Sequence, residues 1–140
     1  MTPAPPGPPD PKRTIGGEWI RRPDGFWLAV RPEAIPSAAE RMLASGARFA
    51  ALVATPDAKG NVAMSWHWDA GGTLLTLHTT LASGESAPSI AHVYPGADWA
   101  ERETHDYYAV TFAGRADTTP LVLRADDPPG ILLANPGGAR

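Results

Sequence analysis

Five ionisable side chains, Glu101, Arg102, Glu103, His105 and Asp106, crowd between a tryptophan and two tyrosines in the stretch "DWAERETHDYY". Carboxylates at that density can act as a general acid and base, and a histidine beside them can complete a metal site. The same residues can also form a solvated helix face or a docking surface. Helical spacing sets Trp99, Glu103, Asp106, Tyr107 and Val110 on one stripe, which a purely solvated acidic face would not share with three large apolar or aromatic side chains. Arg102 stands four residues before Asp106 and is predicted to pair with it. Carboxylates set among aromatics usually cap backbone amides or meet a partner's arginine, because burying them unpaired is costly. The pattern therefore points to a scaffold or interface, with acid–base catalysis by Glu101, Glu103 or Asp106 as the alternative.

Other chemistries find little support. The chain has no cysteine, which removes disulfides, thiolate zinc sites, iron–sulfur ligation and a cysteine nucleophile. His67 and His78 belong to one predicted hairpin, but pairing Trp68 with Thr73 sets His67 opposite Leu74, four residues from His78 and too distant to share a metal. His92 and His105 fall in different segments, and no H-E-x-x-H spacing links any pair. No G-x-S-x-G elbow, S-x-x-K pair, phosphate-binding loop or dinucleotide fingerprint occurs. Neither a metal nor a cofactor is expected.

The elements that must position the acidic cluster are legible in outline. Gly25–Pro32 reads as a first strand. In "EAIPSAAERMLASG", Ile35, Ala38, Ala39, Met42 and Leu43 form the apolar stripe of a helix that starts near Pro36 and stops before Gly46. "RFAALVATPD" reads as a buried strand, and "NVAMSWHW" and "TLLTLHTT" as a hairpin joined through "DAGG". Its core face would carry Val62, Met64, Trp66, Leu75 and Leu77, and its wetter face Ser65, His67, Thr76 and His78. "SAPSIAHVYPG" reads as a turn or loop and "ADWAERETHDYYAV" as a second helix, with Asp98 and Glu101 in N-cap and N3 character. The prediction is an α+β fold, a two-layer domain with helices packed on a mainly antiparallel sheet.

The domain is expected over residues 18–124. Residues 1–17, "MTPAPPGPPDPKRTIGG", are proline-rich, with little to bury. They are expected to form a disordered or polyproline II tail whose removal leaves the melting temperature nearly unchanged. Residues 125–140 are expected to be an irregular tail. A chain of 140 residues suits one domain, and its net charge of −3 argues against nucleic acid as a partner held by bulk electrostatics. With no run approaching the roughly 20 apolar residues of a membrane span, the protein is expected to be cytoplasmic.

Residues 88–117, "PSIAHVYPGADWAERETHDYYAVTFAGRAD", resemble the signature of the 30-kDa subunit family of proton-pumping NADH:quinone oxidoreductases, the respiratory complex I type. The matching landmarks are Pro88, Ser89, Pro95, Ala97, Trp99, Glu101, Arg102, Glu103, Asp106, Phe112, Gly114 and Asp117, and a looser likeness runs over residues 25–123. The resemblance implies a polypeptide without catalytic residues or cofactor of its own, held in the hydrophilic arm against the 49-kDa homologue of hydrogenase large subunits. It would reach the inner face of the membrane only through the complex. Trp99, Glu101, Arg102, Glu103, Asp106, Phe112, Gly114 and Asp117 would then organise the fold and the docking surface. Departures are Ala109 where the family has glycine, Thr119 and Pro120 where it has an arginine pair, a missing P-L-R-K-D ending after Gly130, and a short N-terminal region. These suggest a shortened paralogue serving an alternative oxidoreductase or a membrane-bound energy-converting hydrogenase. A free-standing acid–base enzyme, or an adaptor using its proline-rich tail, are the readings from other classes.

Overall fold

The computed structural model describes residues 2–4, 10–115, 119–124 and 126–133. Its frame is a five-stranded sheet, ordered β1-β2-β5-β4-β3, formed by β1 (Ile20–Arg22), β2 (Gly25–Ala29), β3 (Arg48–Pro56), β4 (Val62–Ala70) and β5 (Thr73–Leu81). All neighbours are antiparallel except β2 and β5, which run parallel. The expected α+β architecture is therefore present, on a mixed sheet. A second, two-stranded parallel pair joins β6 (Ala87–Pro88) to β7 (Phe112–Ala113).

The central hairpin turns on Gly71 and Gly72, both with positive φ, as a two-residue hairpin turn of this kind demands. Ala70 therefore pairs with Thr73, and Trp68 pairs with Leu75 rather than with Thr73. Reading the whole of "DAGG" as the loop puts the expected register two residues out, because Asp69 and Ala70 belong to the strand. A two-residue slip preserves the faces, so Val62, Met64, Trp66, Leu75 and Leu77 are all buried together, joined by Trp68 and Leu81. Gly25 is fixed by a different constraint: a β-carbon there would collide with the Leu74 carbonyl where β2 begins to pair alongside β5.

Helix α2 (Ile35–Ala44) follows a 3-10 turn at Pro32–Ala34 and carries Pro36 in its first turn, where no amide is missed. Ile35, Ala38, Ala39 and Met42 enter the core as predicted, but Leu43 is 51% exposed and lies off the stripe. Strand β3 is an edge strand with alternating half-buried residues, not the buried strand expected, and its register shifts between Phe49 and Ala51. Helix α3 (Ala97–Tyr108) packs near β3 and contributes Ala97 to the same core.

The tail expected over residues 1–17 is corrected for part of its length. Pro11–Ile15 form a short helix, α1, capped by the Asp10 carboxylate, which accepts from the Lys12 amide at 3.0 Å. Pro11 is buried, Ile15 packs on the core, the Arg41 guanidinium donates to the Thr14 carbonyl, and the Lys12 ammonium lies 3.9 Å from the Phe26 ring centroid. Residues 5–9 lie outside the described residues. Deleting residues 1–17 is now expected to lower the melting temperature by several degrees, because burying one or two side chains contributes about 1–3 kcal/mol. Thermal unfolding of the truncated and full chains checks this, and equal midpoints would mean α1 contributes nothing.

Candidate functional site

Helix α3 begins at Gly96, which takes the cap position without a side-chain bond. Asp98 sits in the first turn, where a negative charge suits the helix dipole, instead of serving as the N-cap. The helix ends at Ala109, a non-glycine residue in the left-handed region at φ 57°, whose N–H bonds the His105 carbonyl at 2.8 Å. That conformation costs about 1–2 kcal/mol for an L-residue and is the one a glycine adopts freely.

Glu101 points inward, one turn after Ala97 and one before Thr104, and is completely buried. One carboxylate oxygen accepts from the Ser89 hydroxyl at 2.6 Å and from the Arg115 guanidinium at 3.1 Å; the other accepts from the Ile90 amide at 2.8 Å. Arg115 also meets Asp98 at 2.6 Å, so one guanidinium bridges the start and the middle of the helix. Burial works against the Arg115 charge, but its bonds to Asp98 and Glu101 prevail and raise its pKa above the ordinary value.

Asp106 is almost as enclosed and serves a different segment. Its Oδ2 accepts from the amides of Leu121, Val122 and Leu123 at 2.8, 2.8 and 3.3 Å. Burial alone would raise its pKa, but the amides of Val122, Leu121 and Leu123, with the charge of His105, hold it below the ordinary carboxylate value. Arg102 does not pair with Asp106. It turns back to Asp98 at 3.6 Å and donates to the carbonyls of Thr119 and Pro120, where amides rather than a cation have claimed Asp106.

The predicted stripe therefore divides. Asp106 and Val110 are buried, whereas Trp99 is 68% exposed and Glu103 is exposed beside it. The chain after β7 meets only part of this stripe: residues 121–123 lie against Asp106 in the C-terminal half of α3, and among the described residues the Trp99 and Glu103 side chains stay exposed. Phe112 is buried in β7 opposite Ala87, and Gly114 follows with φ 90°. Asp117 lies outside the described residues. Arg115 and Tyr94 matter to the fold, yet no spacing in the sequence singles them out. Tyr94 donates to the Ala47 carbonyl at 2.8 Å, and burial pushes its phenol up to about 12.

On the sheet's other face the corrected register brings the two histidines closer than expected. His67 pairs with Thr76 and Ser65 with His78, and both imidazoles lie 5.6 Å from the Trp27 ring. The His67 ring nitrogens are already taken, 2.9 Å from the Ser65 hydroxyl and 2.7 Å from that of Thr76. Among the described residues, no three His, Cys, Asp or Glu side chains are grouped to hold a metal, and no helix is long and apolar enough to cross a membrane.

Fold and site together define an α+β domain on a mixed sheet, with one acidic helix bolted to its surroundings by buried carboxylates. Residues 28–131 match the family model described as the respiratory-chain NADH dehydrogenase 30 Kd subunit, and the chain belongs to that family. It is 30% identical over 105 residues to the NADH-quinone oxidoreductase C subunit of Rhodobacter capsulatus, covering 68% of this chain and 52% of that protein. The corresponding proteins of Sinorhizobium medicae and Mesorhizobium japonicum are 49% and 57% identical over shorter stretches, covering 29% and 25% of this chain and 21% and 17% of theirs. The chain thus spans about half, or less, of the length of these relatives.

Two outcomes are expected of the buried carboxylates. Glu101→Ala leaves the Ile90 amide and the Ser89 hydroxyl without their acceptor and takes one of its carboxylate contacts from Arg115, and should cost about 2–5 kcal/mol, read as the urea midpoint multiplied by the unfolding slope. The depressed Asp106 carboxyl contributes stability that is full above its unfolded value of about 3.9 and is lost as pH falls through its folded value. Asp106→Asn should therefore remove part of the acid-side slope below about pH 4 and leave the slope near neutrality unchanged, which unfolding curves at a series of pH values would show.

Proposed function

We propose that the chain is a non-catalytic assembly subunit in the peripheral arm of a proton-pumping oxidoreductase that passes electrons from NADH, or a related donor, to quinone. In this reading it docks on the 49-kDa subunit, the homologue of hydrogenase large subunits, carries no cofactor of its own, and meets the inner face of the membrane only through the complex. Family membership and the names of its relatives support the class of complex.

The observation that carries the non-catalytic part is how the carboxylates are occupied. Glu101 is held by Arg115, Ser89 and the Ile90 amide, and Asp106 by three amides that stabilise its charged form. A general acid or base needs a pKa near the working pH and a path to a reacting atom, and the lowered Asp106 carboxyl moves away from that condition. Bolts of this kind support a scaffold whose remaining outward residues face a neighbour.

The test is quinone reductase activity normalised to the amount of assembled complex in cells carrying Glu101→Gln or Asp106→Asn. Assembled complex should fall in both, while turnover per complex stays within about twofold of the parent. Normal assembly with turnover reduced about a hundredfold would overturn the scaffold reading in favour of acid–base chemistry.

A further inference from the structure

Beside the exposed Trp99–Glu103 face of α3 runs a groove of about 620 Å³. Leu43 at the end of α2, Phe49 near the start of β3, and Trp99 and Glu103 on α3 are among the residues that line it. Two of its walls, Leu43 and Trp99, are large apolar side chains more than half exposed, an arrangement with nothing in the described chain to bury it. The groove also holds Ala50, which has no partner across β4 because the register shifts there, on the sheet's edge strand.

The charges around it are not neutral. Of the four carboxylates of α3, Asp98 is spent on Arg115 and Arg102, Glu101 on Arg115 and the Ser89–Ile90 segment, and Asp106 on three amides. Glu103 has no hydrogen bond or ion pair among the described residues. The cation lining the groove from β3, Arg48, is already neutralised by Asp69 at 3.0 Å. One uncompensated negative charge is left, four residues along the helix from an exposed indole.

We propose that this groove is the docking site for a partner-subunit segment carrying an arginine next to a large apolar side chain. This deepens the reading of the chain as an assembly subunit and rests on it. The guanidinium would bond Glu103 in a planar fork and lie against the Trp99 ring, a pairing that suits arginine better than lysine. The apolar neighbour would fill the space between Leu43 and Phe49, giving the aromatic-and-arginine centre typical of interfaces that hold tightly. A second copy of the chain is a poor occupant, because a twofold contact of this patch with itself brings two uncompensated Glu103 charges into one interface.

The experiment uses the full-length chain, tagged and expressed in its native host, recovered by the tag and scored for co-purified quinone reductase subunits. Trp99→Ala and Glu103→Arg should each lower recovery of the complex by about tenfold or more, with unchanged melting temperature of the free chain. Lys59→Glu, in the turn beyond the far end of β3, should recover it as the parent does. In parallel, p-benzoylphenylalanine placed at position 99 should cross-link on irradiation to a peptide of another subunit that contains an arginine. Parent-like recovery of both groove variants would overturn the proposal. So would a cross-link to a second copy of this chain or to a peptide without arginine. If the parent chain itself brings down no such complex, the assembly-subunit reading falls and this proposal with it.

Discussion

A single buried carboxylate, that of Glu101, is the constraint on which the rest of the arrangement depends. It meets the Ser89 hydroxyl and Ile90 amide just after β6, and the Arg115 guanidinium just after β7. Those two strands pair in parallel, Ala87 with Phe112, so helix and strand pair are tied at one point. A leucine there would bury as much apolar surface but leave the Ile90 amide and the Ser89 hydroxyl without acceptors and strip Arg115 of one of its two carboxylates. Each such orphan costs as much as a lost hydrogen bond or more. The carboxylate is needed because its neighbours are polar, and the neighbours are polar because the chain must turn there.

Asp106 performs the corresponding task at the other end of α3. Its side chain gathers the amides of residues 121–123, and its carbonyl, with that of Tyr107, accepts from the amides of Gly130, Ile131 and Leu132. The carbonyls that a helix end leaves unpaired are thus met by a later segment folded over it. That wrapping keeps Ala109 in its left-handed conformation despite the cost, since Gly130 lies against it: a β-carbon on Gly130 would sit 3.3 Å from that of Ala109. The end of the helix is held by packing, where a glycine would have held it by backbone freedom.

How much of this could be read beforehand follows from which physics each feature obeys. Periodicity identifies α2, α3 and the hairpin, because one buried face leaves a repeat in the sequence. It identifies the core side of β4 and β5 even with the register two residues out, since a slip of two does not change faces. What it cannot show are the contacts made by irregular segments. The amides of 121–123 that occupy Asp106, and the loop arginine Arg115 that answers Glu101, follow from no spacing. The stripe through Trp99, Glu103 and Asp106 is a sound helical pattern, of which residues 121–123 meet Asp106 while Trp99 and Glu103 stay exposed. Pro11–Ile15 are hidden by composition: a proline-rich run looks unable to bury anything, yet Pro11 and Ile15 do.

The division between inward and outward residues separates what holds the domain together from what it presents to solvent. Glu101, Asp106 and Arg115 face the chain's own backbone, so altering them destabilises the domain before it alters any interface. Trp99, Glu103 and Leu43 face outward on elements that those bonds hold rigid, and surface substitutions there cost the fold little. The same helix thus separates what must be kept from what can vary, one turn apart. In the docking reading proposed above, what a neighbour would meet is the exposed aromatic at Trp99 and the single unspent charge of Glu103 beside it.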